Sequence, residues 1–386
     1  MVNGITDYRL SNTATGNISN VVVGSIKGSN IRGDVLYMTH KNSTTLSGVK
    51  TGNVTGANIL RNVVSITGGR NIEIGNVTGT QVGMLILDIE AEPSYGPVDN
   101  VAVQSVIGQG MNIANASATV PAENIRIKYA LLDPTDYVGS TPAYGSGGIP
   151  AYATQLRNAQ NVVFDSLTIT NCDGAGINVI YGVGELGVDG LTINHLLMSN
   201  CGLVSDAYNT YIRCNSGDND TNVVINNATI DIQASRSFLL YSSGAKLKNI
   251  TKTGDGTLLK YTGHTELIYS SITGGVLVQG SSNLLIDSVT FSGTRLSTSG
   301  SKIKCVNSTI TASDVVQSAS TDILVEQSTI NTIYYKTGIY SSDDANYVDA
   351  ITIGGAWLFV DVAGNLKIHT AKPTADTDGV VVGTQT

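Results

Sequence analysis

An Asn, Asp, Gly or Glu followed by apolar, any residue, apolar recurs ten times along this chain. The instances begin at Asn20, Asn71, Asn100, Asn124, Asn161, Gly190, Asn222, Glu266, Asn283 and Asp322. Each reads as a short strand that starts at a turn and buries its first and third side chains. The inward pairs are Val21/Val23, Ile72/Ile74, Val101/Val103, Ile125/Ile127, Val162/Phe164, Leu191/Ile193, Val223/Ile225, Leu267/Tyr269, Leu284/Ile286 and Ile323/Val325. Most are β-branched or aliphatic, as strands prefer. Starts recur at intervals of 24, 29, 32 and 37 residues. Wider gaps hold two turns, with a weaker start between them near Leu247 or Ile303. A period in this range indicates a solenoid rather than a single-core globule.

Strands one period apart cannot be hairpins, because the gaps are too long and carry no helical pattern. Stacked turn on turn, they form parallel sheets around one continuous core. The expected fold is all-β, a right-handed parallel β-helix of roughly a dozen turns, each rising about 4.8 Å. Residues 1–342 form the helix, with a catalytic body over about 71–222 and narrow, stalk-like turns over about 245–342. Residues 343–386 form a small C-terminal β cap, where Ala356 to His369 reads as a hairpin holding the single Trp. Outer-face Glu73, Arg126 and Thr192 suit solvent. Outer-face Val163, Val224, Leu285 and Leu324 suggest a covered surface, and a cyclic homotrimer is the natural closure.

Composition agrees. Charged residues make up 13% of the chain and glycines number 43, which suits short strands and tight turns. The net charge of −8 and the absence of a Lys/Arg run argue against nucleic acid as a partner. No apolar run approaches a membrane span, and Met1-Val2-Asn3-Gly4 does not open a secretory signal. Cys172, Cys201, Cys214 and Cys305 form no CxxC pair and no His lies at ligand spacing, so neither a metal nor a cofactor is expected. Cys172 and Cys201 read as free thiols stacked in successive turns. Asp218-Asn219-Asp220 lacks the later ligands of a calcium loop and reads as a turn.

The run Asn161-Val-Val-Phe-Asp-Ser-Leu-Thr-Ile-Thr-Asn-Cys-Asp-Gly-Ala-Gly-Ile177 resembles the pectin-lyase-like β-helix family. The tail, with Trp357-Leu-Phe-Val-Asp361, Gly364-Asn-Leu-Lys-Ile368 and Pro373-Thr-Ala-Asp-Thr-Asp-Gly379, is similar to the C-termini of phage tailspikes, particularly capsule depolymerases of phages infecting Acinetobacter. The resemblance implies a homotrimer in the phage tail that binds and cleaves bacterial capsular polysaccharide outside the host cell. Attachment to the phage particle would run through an N-terminal domain that this sequence lacks.

Long loops on a regular scaffold carry function, which directs attention to the insertions at Glu90–Asp99 and Asp133–Arg157. Glycoside hydrolysis needs two carboxyl groups flanking the bond. In Leu87-Asp88-Ile89-Glu90, the apolar residues point inward, so Asp88 and Glu90 share the outer face about 6.7 Å apart along the strand. Like charges that close would raise one pKa, as a general acid requires. Asp173 with Asp206, on neighbouring turns, is the second pair. Asp173 falls at the Asp-Gly turn where pectin-lyase-like hydrolases often place a carboxylate, although their paired Asp-Asp and Gly-His-Gly are missing. Glu185 is a further candidate. Tyr95, Tyr144, Tyr152 and Tyr208 offer flat faces for sugar, and Arg157 and Arg213 forked donors for an acidic one. His195 reads as a buried or interface residue. Three activities stay open: hydrolysis by two carboxylates, β-elimination on a uronic-acid polymer, and non-catalytic receptor binding by a fibre or adhesin.

Overall fold

In the computed structural model, the described residues are 8–12, 16–40, 44–115, 120, 122–136, 152–172, 174–180, 188–201, 210–214, 222–281, 283–298, 303–315, 322–331, 333–341, 351–353, 356–360, 365–370 and 379–384. They form a parallel β-helix with three faces. The repeated motif supplies the first face, for example Ala159–Phe164 and Asp189–Ile193. After a short corner comes the second face, for example Leu167–Cys172 and Leu196–Cys201. The third includes Leu87–Ala91, Met111–Asn115, Tyr152–Arg157, Ala175–Ile180 and Thr210–Arg213.

Each strand pairs in parallel with its equivalents one turn before and after. Val101 therefore lies over Ile72 and under Ile125, and the column continues through Val162, Leu191 and Val223. Phe164 sits between Ile127 and Ile193 and is fully buried. The weaker turns at Leu247 and Ile303 stack as expected, and both residues are buried.

The motif's leading Asn marks a corner. Asn71, Asn100, Asn124 and Asn161 all adopt positive φ, between 52° and 57°, a region that Asn tolerates better than other non-glycine residues. The amides also bond along the axis. Asn100 Nδ2 donates to Asn71 Oδ1 (2.7 Å), Asn124 Nδ2 to Asp99 Oδ1 (2.9 Å), and Asn161 Nδ2 to Asn124 Oδ1 (3.2 Å). Another corner repeats the device with Asp165, Asn194 and Asn226.

The turn at Glu266 departs from expectation. Its inward pair is Thr265 and Leu267, and Tyr269 is 58% exposed at a left-handed corner. Thr265 is tolerated inside because its hydroxyl bonds Thr262 Oγ1 and Gly263 O. Nor do the outer apolar residues lie on consecutive turns. Register interleaves Val163, Val224, Leu285 and Leu324 with Thr192, Lys246, Glu266 and Lys304. His195 is exposed rather than buried. A lysine occupies the core: Lys252 stacks between Ile230 and Ile272 and donates to the carbonyls of Gly254 (2.5 Å) and Gly274 (2.6 Å). Burial lowers its pKa to about 8.

Parallel stacking ends at Asp322–Ile330, which pairs antiparallel with Ile333–Ser341. A separate antiparallel sheet follows, with Ile351–Ile353, Ala356–Val360, Asn365–His369 and Val380–Thr384 in order. Trp357 faces His369 in it, as the hairpin reading expects.

Three substitutions test what sets the stack. Phe164→Ala leaves a cavity between two neighbours and should lower stability to denaturant by about 3–5 kcal/mol. Asn124→Ala forces a left-handed backbone on alanine, a loss of about 1–2 kcal/mol. Asn124→Gly should lose less in the same unfolding series, since it restores the backbone but not the amide bonds.

Candidate active site

The corner from first to second face is short on turn after turn, with Phe164 followed by Leu167 and Ile193 by Leu196. Long connections fall on either side of the third face instead. They separate Leu132 from Tyr152 and Cys201 from Thr210 before it, and Ile180 from Asp189 and Arg213 from Asn222 after it. The third face is thus where inserted chain concentrates.

Its positions on the side away from the apolar core form a polar column, most of it buried. Register aligns Ser65, Asp88, Asn112, Gln155, Asn178 and Arg213 on successive turns. Two residues along, Glu90, Ala114 and Arg157 form a parallel column. Four of the expected residues therefore share one face: Asp88, Glu90, Arg157 and Arg213.

Asp88 leaves the strand on the outer side, as the alternation expects, yet it is buried. Leu87 and Ile89 point inward and are fully buried, and Asp88 itself is only 6% exposed. Its carboxylate is fixed at both ends. Asn62 Nδ2 donates to Oδ2 (3.1 Å) and Asn112 Nδ2 to Oδ1 (2.9 Å). Gln155 Nε2 then donates to Asn112 Oδ1 (3.2 Å), and Asn62 Oδ1 accepts the Leu85 N–H (2.9 Å). Burial pushes the Asp88 pKa up to about 7. The Asn112 bond opposes that shift, while the charges of Glu90 and Asp34 add to it and Arg61 opposes. Repulsion by Glu90 contributes, but it is not the chief cause. Glu92 is raised as well, by burial first and then by Glu90.

The Glu90–Asp99 insertion is compact. Tyr95 N and Gly96 N both donate to Glu92 O at 2.9 Å, and Tyr95 is half-buried. Gly68 lets this turn pack closely on the corner of the preceding one. A Cβ there would lie 2.6 Å from Tyr95 O and 2.7 Å from His40 Cδ2. His40 is held in turn by a 2.7 Å bond between Nδ1 and Thr44 O. Tyr152 is not a loop aromatic. It lies on a third-face strand beside Ala175 and is buried. Asp173, Asp206, Tyr144, Tyr208 and Glu185 lie outside the described residues.

Asn62, Asn112 and Gln155 escaped the sequence reading. The available signal was a polar residue between apolar ones in Met111-Asn112-Ile113, matching Leu87-Asp88-Ile89; Gln155, between Thr154 and Leu156, carries it more weakly. Among the described residues, no group of three or more His, Cys, Asp or Glu could hold a metal ion. The four cysteines are buried thiols outside any disulfide, and burial raises those of Cys201 and Cys214 to about 12. Cys172 and Cys201 stack on adjacent turns as expected.

Chemically, the face offers a carboxyl that holds its proton near neutrality, an acidic neighbour, and a line of amides and cations parallel to the axis. No curated protein and no solved structure matches the chain. A family model described as capsule depolymerase matches residues 50–384. That match spans most of the sequence and nearly the whole β-helix, and the chain belongs to the capsule depolymerase family.

Proposed function

We propose that the protein is an endo-acting glycoside hydrolase of capsular polysaccharide, with Asp88 as general acid and Glu90 as its carboxylate partner. The observation that carries this reading is the buried Asp88 carboxyl, held by Asn62 and Asn112 on the strand it shares with Glu90 and on the face flanked by the long insertions, where burial raises its pKa to about 7. A glycosidic oxygen needs a proton as its bond breaks, and an acid that keeps one at neutral pH can supply it. Glu90 lies two residues away on the same strand, about 6.7 Å along it. It would activate water or attack the sugar directly. Asn112 and Asn62 hold the acid in place, and Arg157 and Arg213 favour a polymer with anionic sugars. The tailspike resemblance extends the reading to a homotrimer carried in a phage tail. Analytical ultracentrifugation that returned a monomer would remove that part.

The decisive test is size-exclusion chromatography of purified capsules from a strain panel after incubation with the protein. One capsule type should shorten, with fragment masses showing addition of water. Fragments carrying an ultraviolet-absorbing double bond would instead establish elimination, and a capsule that is bound but keeps its length would establish a non-catalytic fibre. Asp88→Asn should lower kcat by about 10²–10⁴-fold, and the wild-type rate should fall as pH rises through about 7.

The same shift links stability to pH. The folded state holds the Asp88 proton more tightly than the unfolded chain, whose carboxyl titrates at its ordinary value of 3.8. Stability therefore falls between pH about 4 and about 7, and the full penalty persists above that. Equilibrium or kinetic unfolding at pH 5 and pH 8 should show the fall in wild type, on the order of a few kcal/mol, and a flatter profile in Asp88→Asn.

A further inference from the structure

Tyr241, Tyr261 and Gly280 occupy equivalent positions on three successive turns; the tyrosines directly follow third-face strands, and Gly280 lies near the end of the next one, Val276–Ser281. All three have positive φ: 61°, 51° and 66°. A bulky aromatic there is unusual, and other corners of this helix meet the same need with Asn. The two rings stack, with centroids 5.6 Å apart and planes 14° from parallel. Tyr261 is 46% exposed, and Lys260 Nζ stands 5.6 Å from its ring centre. Gly280 completes the arrangement. A Cβ at that position would lie 2.6 Å from Cδ1 and Cε1 of Tyr261, so only glycine fits against the ring.

We propose that this corner is an accessory polysaccharide subsite, in which a sugar ring of the capsule packs on the exposed part of the Tyr261 face and Lys260 meets an anionic or hydroxyl-rich neighbour. Holding the corner needs no aromatic, since Asn does so elsewhere without the strain that a tyrosine stores. A flat amphipathic ring with a cation beside it suits a polar ligand with an apolar face, as a pyranose has. Position supports the same occupant. Leu240 and Lys260 continue the column of Asp88, Asn112, Gln155, Asn178 and Arg213, five and six strands on. The platform therefore stands roughly 24–29 Å from Asp88 along the axis, on the same side. A long chain laid along the third face reaches both, and a short fragment reaches one.

The inference rests on the polysaccharide reading above but not on cleavage, so its test measures binding. Native affinity electrophoresis of the wild type through gels containing each purified capsule of a strain panel should show retardation by one type. Tyr241→Asn/Tyr261→Asn, which substitutes the residue found at the other corners, should keep the fold, with some loss of stability where Tyr241 packs on the core, and weaken that retardation at least fivefold. Tyr261→Phe should keep most of it. In turnover, the double variant should raise KM for long polymer severalfold with kcat unchanged, and leave the KM of short fragments alone. Retardation of wild type without cleavage would sink the hydrolase reading and leave the platform standing. Equal retardation of wild type and double variant would overturn the platform, as would no retardation by any capsule. A changed oligomeric state in the double variant would also overturn it, by showing the tyrosines to be a contact between copies.

Discussion

Each turn of a parallel β-helix finds its backbone hydrogen-bond partners only in the turns on either side, and that requirement governs the rest of this molecule. A strand displaced by one residue would turn its core side chains outward. A strand displaced along the axis would leave buried N–H and C=O groups without partners. Register is therefore held at two levels. Inside, columns such as Ile72, Val101, Ile125 and Val162 interlock. At the corners, Asn side chains that accept positive φ bond to one another across turns. Extra residues can enter only where no pairing is interrupted, which is at a corner.

Two of the three corners absorb them, and both border the third face. That asymmetry turns a uniform scaffold into one with a functional side. Outward residues on this face are brought together by stacking rather than by sequence, so Asp88, Asn112 and Gln155 become neighbours although 24 and 43 residues separate the successive members. Stacking also creates the environment of Asp88. A carboxyl between polar rungs is withdrawn from water while its neighbours supply amide donors, and burial wins over those donors in setting its proton affinity.

Much of the fold was legible because core positions repeat in a simple period. Nine of the ten motif starts place the first and third residues in register with their neighbours, and one does not. At Glu266 the pattern accepted Tyr269 as apolar and overlooked Thr265, whose hydroxyl is satisfied locally. Lys252 was equally hidden, since nothing in its own segment shows that the carbonyls capping it come from this turn and the next. The site was half legible. Asp88 and Glu90 follow from alternation along one strand, whereas their amide partners depend on which turns are adjacent and at what offset. Alternation placed Asp88 on the outer face but could not show that it is buried there, because period-two patterning reports which side a residue leaves from and not what covers that side.

The strained or penalised residues share a logic. Asp88 is a carboxylate that the fold would rather keep neutral, and Tyr241 and Tyr261 hold a backbone conformation that tyrosine disfavours. A small domain would relax such features away by local rearrangement. Here each offending residue is clamped by complete turns above and below, and shifting one rung would break the pairing of its neighbours. The stack therefore tolerates local cost because relaxation is more costly still. That tolerance is what allows a column of core-forming strands to carry, on its outer side, an acid with a near-neutral pKa and a stacked tyrosine pair of which one ring is exposed.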